Sequence, residues 1–183
     1  MSKYIRLNKF ALSLCLRYVV LLIIALNLDL IYNIFTPLTL NLSNTLLGLF
    51  YETLIDNNSI FIDTFEIKLI PACIAGSAYL LLLILNLSTE IDFKKRVKSL
   101  LFILSSFLLI NVLRITFLTY LFKESLAYSN LAHEISWYLG STVILVIIWF
   151  VNVTLFNIKN IPVFTDVKYL FSQVKGKNHS KRL

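Results

Sequence analysis

The feature that most constrains this chain is a series of long apolar runs that carry almost no charge. Four of these runs approach or exceed the ~20 residues that an α-helix needs to cross about 30 Å of hydrocarbon. They lie at 12–34, 72–87, 100–122 and 131–156. A soluble domain of 183 residues could not bury this much apolar surface, because 58% of its residues are hydrophobic. The sequence therefore predicts an all-α, polytopic transmembrane helix bundle with about four spans.

Several other classes of protein are disfavoured by composition. Apolar residues come in blocks rather than alternating, which argues against a β-barrel. Cys15 and Cys73 are the two cysteines, and the sequence has no CxxC motif, no His or Cys cluster and no Gly-rich loop. We therefore expect no disulfide framework, no metal site and no cofactor. The net charge of +7 would suggest nucleic acid in a soluble protein. Here the basic residues flank apolar runs, so we expect membrane lipid and no nucleic acid.

The loop charges predict the orientation of the bundle. Of the 17 basic residues, 14 lie before or within the start of the first run, between the second and third runs, or in the tail. Cytoplasmic loops carry such an excess of Lys and Arg. We therefore expect both termini in the cytoplasm of a multi-pass plasma-membrane protein. The N-terminal basic residues and first apolar run also resemble a signal peptide, but the run is long and no small-residue cleavage site follows it.

The segments between the first and second predicted spans have a different residue pattern from the spans themselves, because they contain more polar residues. Residues 37–54 mix leucines with polar residues at helical spacing, which predicts an amphipathic interfacial or re-entrant helix beginning near Pro37. Residues 59–70 partly alternate and predict a short hairpin at the outer membrane surface. No linker or internal repeat interrupts the chain. We expect one transmembrane catalytic domain over 1–157 and a basic cytoplasmic tail over 158–183.

Arg114 and Asn111 are polar residues within the third apolar run. A charged side chain at this depth costs about 2.5–3.5 kcal/mol on insertion scales, so it needs a reason. Asn111 precedes Arg114 by three residues and shares its helical face, which predicts an inward polar stripe. Two structural explanations stay open: Arg114 as an anchor that reaches the interface or pairs with an acidic residue, and Asn111 as an interhelical hydrogen-bond donor.

The predicted topology places Cys73, Arg114 and His133 in the same outer leaflet, on three different helices. Bundled helices pack 8–10 Å apart, so inward-facing side chains can converge. An imidazole beside a thiol takes its proton and leaves a nucleophilic thiolate, and an adjacent guanidinium stabilises negative charge. A Cys–His–Arg site of this kind suits acyl transfer from a peptide bond.

Three segments together resemble the exosortase/archaeosortase family. They are PACIAGSAYLLLLILNL with Cys73, Gly76 and Ser77, NVLRI with Asn111 and Arg114, and HEISWYLG with His133. The resemblance covers roughly residues 35–150, and it lies in the order and spacing of the three segments.

The resemblance implies a membrane-embedded cysteine protease/transpeptidase with catalytic Cys73, Arg114 and His133. Its substrates would be surface proteins with a C-terminal sorting signal made of a short motif, a hydrophobic helix and a basic cluster. Cys73 would form a thioester, His133 would act as base and then acid, and Arg114 would hold the oxyanion or thiolate. An amine, a lipid head group or water would resolve the thioester.

Gly76, Ser77 and Asn111 are expected to support this site, Gly76 and Ser77 by allowing another helix to approach closely. That helix would be either a neighbouring span or the substrate's own helix. Three other functions stay open on the sequence: a non-catalytic membrane scaffold whose polar residues join helices, a transporter or channel subunit, and a protease that uses Ser77 instead of Cys73.

Overall fold

The computed structural model describes residues 15–89, 91–124, 135 and 141–158. The helices in these ranges are α1 (Cys15–Leu26), α2 (Leu28–Leu47), α3 (Pro71–Ile74), α4 (Gly76–Leu87), α5 (Phe93–Lys123) and α6 (Ser141–Leu155). Three short strands, β1 (Thr53–Asp56), β2 (Ser59–Ile62) and β3 (Phe65–Lys68), lie between α2 and α3. The expectation of a mostly helical chain is confirmed. The three short strands are a small addition to a helical chain, so the structure is consistent with the expected all-α class.

The first predicted span is not one continuous helix. It breaks at Asn27, and α1 and α2 meet there at 70°. The Asn27 side chain donates a hydrogen bond of 3.0 Å to the carbonyl of Ile23, which satisfies one of the acceptors that a helix end exposes. Pro37 lies inside α2 rather than at a helix start, so the prediction that a helix begins there is wrong.

By length and apolar character, α5 is the one described helix long enough to cross a membrane by itself. The bent pair α1–α2 adds a second crossing if it counts as one broken span. The segments Pro71–Leu87 and Thr142–Leu155 are apolar but shorter. The structure therefore supports one or two of the four predicted spans on these criteria.

The helices bury polar residues inside the bundle and expose apolar residues outside it. On α5, Ser99 and Asn111 are buried, whereas Leu101, Leu113 and Phe117 are exposed (66%, 58% and 58%). The same division holds on α2, where Thr39 and Ser43 are buried and Leu30, Ile34 and Leu38 are exposed, and on α6, where Asn152 is buried. The bundle therefore encloses several polar side chains beside its apolar core, and many of its outer side chains are large and apolar.

Tyr79 of α4 lies at the centre of the helical core. Its ring stacks on Phe35 of α2 at a centroid distance of 3.7 Å and meets the edge of Phe107 of α5 at 4.9 Å. Leu82 and Ile103 continue this core toward α6. The aromatic contacts fix α4 between α2 and α5, which is the arrangement that positions the candidate site.

A buried polar chain joins three helices at the end of the bundle away from the sheet. Asn86 donates to Ser99 at 2.5 Å, and Ser99 donates to Asn152 at 2.8 Å. Arg96 donates to the carbonyls of Asn86 (2.7 Å) and Thr89 (2.8 Å), so it caps the C-terminus of α4. These hydrogen bonds connect α4, α5 and α6 directly.

The three strands form an antiparallel sheet in the order β1-β2-β3. Tight turns at Asn57 (φ 51°) and Asp63 (φ 53°) join them, and both are residue types that tolerate a positive φ. Ile60 and Ile62 of the central strand are fully buried in a second core with α2 and α3. The predicted hairpin over 59–70 is therefore present as β2 and β3, and β1 extends it into a sheet.

Candidate active site

Cys73 lies on a one-turn helix that is separated from α4 by a break in the backbone. Ala75 adopts the left-handed conformation (φ 59°, ψ 45°), which ends α3 after Ile74 and lets α4 begin at Gly76. A left-handed residue is a common way to end a helix, but it costs more for alanine than for glycine. The predicted second span is thus two helical segments, and Cys73 lies just before the break.

The break leaves the carbonyl of Cys73 without its helical partner, because residue 77 can no longer donate to it. Two side chains of α5 take that place. Asn111 Nδ2 donates to the Cys73 carbonyl at 2.9 Å, and Arg114 Nη2 donates to it at 3.5 Å. A main-chain carbonyl that is removed from water costs free energy unless a donor satisfies it in this way. The two polar residues of α5 therefore hold the backbone of Cys73.

Gly76 lies where α2 comes closest to α4. A Cβ atom at this position would lie 2.6 Å from Cζ of Tyr32, well inside van der Waals contact. Gly76 is buried, whereas Ser77 beside it is exposed. The close neighbour of Gly76 is therefore another helix of the same chain, α2.

A cavity of about 690 Å³ adjoins the break. Cys73, Gly76, Ser77 and Arg114 line it together with apolar side chains of α5 and α6, among them Leu118 and Leu145. Cys73 itself is half-buried and carries a free thiol. The cavity is large enough for a small ligand or a few residues of a peptide, and it brings the candidate nucleophile and the guanidinium to one space.

The sheet forms part of the same cavity. Phe65, Glu66 and Ile67 of β3 line it together with the helices. Lys123 at the end of α5 pairs with Asp63 in the β2–β3 turn at 3.1 Å and lies 3.8 Å above the ring centroid of Tyr51. This contact ties the end of α5 to the turn between β2 and β3, and so connects two elements that line the cavity.

His133, the predicted general base, lies outside the described residues. The structure places the other five candidates: Cys73, Gly76, Ser77 and Arg114 on the cavity, and Asn111 behind them on the Cys73 carbonyl. Cys15 is exposed at the start of α1 and does not line this cavity.

Three contributors to the site did not emerge from the sequence. Tyr32 looks like an ordinary aromatic residue of a span, Glu66 like a residue of a surface strand, and Lys123 like a charge at the end of a span. Tyr32 and Lys123 act through contacts with distant parts of the chain, and Glu66 through its place on the cavity, so no local spacing identifies them. The run of small residues at 75–78 was a usable signal for a close helix contact, but it did not identify Tyr32.

Comparison of the chain with protein-family models, with curated proteins and with solved structures finds no match.

Proposed function

We propose that this chain is a membrane-embedded cysteine protease/transpeptidase that acts on C-terminal sorting signals of surface proteins. The observation that carries the proposal is the cavity beside the helix break. Cys73 and Arg114, which are 41 residues apart in sequence, both line this cavity. A thiol nucleophile beside a cation is an arrangement that suits acyl transfer. The ordered motifs that resemble the exosortase/archaeosortase family give the substrate class.

The proposal includes a plasma-membrane bundle of four spans with both termini in the cytoplasm. Exposed leucine, isoleucine and phenylalanine faces on α1, α2, α5 and α6 support it, since lipid rather than water solvates such faces favourably. The polar interior supports it too, because helices in lipid associate through buried polar and small residues. The excess of basic residues at 94–98, where α5 begins, then lies inside, and the sheet and cavity lie outside.

In the proposed reaction, His133 takes the thiol proton of Cys73, and the thiolate attacks the carbonyl carbon of a peptide bond. Arg114 stabilises the negative oxygen of the tetrahedral intermediate. That intermediate expels the amine, which receives the proton from His133, and a thioester remains on Cys73. Water, an amine or a lipid head group then attacks the thioester, gives its proton to His133 and restores the thiol.

Asn111 acts in this scheme as a positioning residue. Its hydrogen bond to the Cys73 carbonyl fixes the main chain at the point where the helix breaks, and so fixes the direction of the Cys73 side chain. It does not line the cavity.

One observation favours a second function, a non-catalytic membrane scaffold. The hydrogen bonds of Asn111 and Arg114 go to the main-chain carbonyl of Cys73, which any residue at position 73 would present. On this alternative the polar residues stabilise the helix break, and the thiol has no role. The two functions therefore differ in the expected effect of removing only the thiol of Cys73.

The test is replacement of Cys73 by serine in the source cells, with mass spectrometry of the C-termini of surface proteins. In cells with the wild-type chain, we expect some surface proteins to end before a C-terminal hydrophobic helix. With Cys73→Ser, these proteins should keep that helix and its basic cluster. Cys15→Ser is the matched control and should leave processing unchanged, because Cys15 does not line the cavity.

The same cells distinguish the alternative function. If Cys73→Ser leaves every surface-protein C-terminus as in the wild type while the chain accumulates normally, the protease proposal is wrong. A scaffold is then the better description. Loss of processing with normal accumulation of the Cys73→Ser chain would exclude the scaffold alternative.

A further inference from the structure

Strand β3 is an edge of the sheet, and its open side is not covered by any strand in the described part of the chain. Edge strands expose unpaired N–H and C=O groups and readily accept another extended chain. Proteins commonly protect such edges, whereas β3 presents its edge next to the candidate site.

The register identifies the main-chain groups that face the open side. Leu69 N–H donates to the Asn58 carbonyl at 2.9 Å, which marks one hydrogen-bonded position of the β2–β3 ladder. Hydrogen-bonded positions alternate along an antiparallel pair. Ile67 and Phe65, opposite Ile60 and Ile62, are therefore the next such positions.

Glu66 and Lys68 then direct their N–H and C=O groups away from β2, toward the open side. Both residues are exposed. The Glu66 carboxylate accepts a hydrogen bond of 2.7 Å from Ser59, so this side chain is engaged within the sheet. The open side of β3 thus offers main-chain groups at two alternate residues.

Phe65, Glu66 and Ile67 of β3 line the cavity that Cys73 also lines, and Lys68 follows them directly as the last residue of the strand. Building on the proposed function, we propose that the substrate enters as an extended peptide that pairs with the edge of β3 at Glu66 and Lys68. In this mode, main-chain hydrogen bonds hold the peptide along β3. Its scissile bond then reaches Cys73, which follows Lys68 by five residues in this protein. The occupant is an extended peptide because main-chain groups at alternate residues are what the edge presents.

The opposite edge of the sheet provides an internal comparison. On β1, Ile55 stands opposite Ile60, which already pairs toward β3, so the main-chain groups of Ile55 also face outward. No residue of β1 lines the cavity. A peptide bound at β1 would lie away from the thiol, so β3 is the edge that serves the site.

The experiment measures alkylation of Cys73 in the full-length chain, carrying Cys15→Ser and reconstituted in proteoliposomes. Three reagents are compared: iodoacetamide, acetyl-alanyl chloromethyl ketone and acetyl-tetraalanyl chloromethyl ketone. Iodoacetamide reports the reactivity and access of the thiol, whereas only the longest reagent can pair with a strand. We expect the tetraalanyl reagent to react about tenfold faster than the single-alanyl one, as a few added hydrogen bonds allow.

Lys68→Pro removes one outward N–H group and keeps the extended backbone, since proline is tolerated at such edge positions. It should abolish the tenfold advantage without changing the iodoacetamide rate. Two matched controls should keep the advantage: Lys68→Ala, which removes only the side chain, and Ile55→Pro, which makes the same change on the other edge. A tetraalanyl reagent carrying N-methyl groups on the pairing amides should lose the advantage with the unchanged protein.

Each outcome bears on a separate claim. If iodoacetamide labels Cys73 but the tetraalanyl reagent has no advantage, or keeps it with Lys68→Pro, edge pairing is overturned and the protease proposal stands. If iodoacetamide does not label Cys73 in the folded chain, the proposed nucleophile is inaccessible. Both proposals are then overturned together.

Discussion

At the scale of single residues, the site depends on one carbonyl group. Asn111 and Arg114 both donate to the main-chain oxygen of Cys73, so a substitution at either one alters the backbone beside the nucleophile. A substitution at Asn111 or Arg114 can therefore change the free energy of unfolding, the rate of turnover, or both. The two residues should differ in this respect, because Arg114 lines the cavity and Asn111 does not.

Arg114→Lys is expected to lower turnover far more than stability. Lysine keeps the positive charge, but it lacks the planar fork that can hold the Cys73 carbonyl and stabilise an oxyanion together. Loss of an oxyanion donor costs about 10²–10³-fold in kcat. The measurement is kcat for a substrate identified by the C-terminal mass spectrometry, alongside thermal unfolding in detergent. Full activity of the Lys variant would exclude a role for the planar geometry.

Asn111→Leu is expected to act chiefly on stability. It removes the 2.9 Å hydrogen bond to a carbonyl that the helix break leaves exposed, which costs about 1–3 kcal/mol in free energy of unfolding. Ser105→Ala on the same helix is the matched control. Ser105 is exposed and bonds only carbonyls of its own helix, so its loss should change little. Equal stability of the two variants would show that Asn111 does not hold the break.

At the scale of elements, the break between α3 and α4 places a left-handed residue where the sequence did not predict one. Glycine is the usual residue for this conformation, yet Ala75 adopts it and Gly76 next to it is helical. The contact with Tyr32 explains the order, because only a residue without Cβ fits at position 76. Packing between helices therefore decides which position receives the glycine, and the backbone preference is secondary.

Gly76→Ala tests this explanation. The added Cβ would meet Tyr32 at 2.6 Å, so α2 or the ring must move, and overpacking of this kind costs about 1–3 kcal/mol. Combining the change with Tyr32→Ala should recover a large part of the loss, because the double variant removes the clashing ring. Thermal unfolding of the wild type, the two single variants and the double variant gives the coupling free energy between positions 76 and 32. Additive losses would mean that Tyr32 is not the limiting contact.

The elements also show what sequence patterns can and cannot predict. The long apolar runs and the inward stripe of Asn111 and Arg114 are local signals, and they predicted helices and a buried polar face at α5. The placement of the sheet beside Cys73 depends on contacts between distant segments. Lys123 and Asp63, 60 residues apart, illustrate the difference, since nothing near either residue in sequence indicates their pairing.

At the scale of the whole molecule, the charge distribution fits the proposed orientation, in which the basic start of α5 lies in the cytoplasm and the sheet lies outside. Helix α5 has 31 residues, which corresponds to about 46 Å and exceeds the ~30 Å hydrocarbon thickness. Its first turns carry Lys94, Lys95 and Arg96, and its last residue, Lys123, contacts the sheet. If α5 crosses the membrane, these two ends must lie on opposite sides.

Single cysteines at the two ends of α5 test that orientation in the Cys15→Ser, Cys73→Ser background. Thr64 in the β2–β3 turn and Lys95 in the first turn of α5 are both exposed, so Thr64→Cys and Lys95→Cys should each fold and react with maleimides. In intact cells, a membrane-impermeant maleimide should label only Thr64→Cys. Lys95→Cys should react after permeabilisation, because the proposed orientation places the basic end of α5 in the cytoplasm. The opposite pattern would place the cavity on the cytoplasmic side, where it could not meet surface proteins, and labelling of both in intact cells would mean that α5 does not cross the membrane.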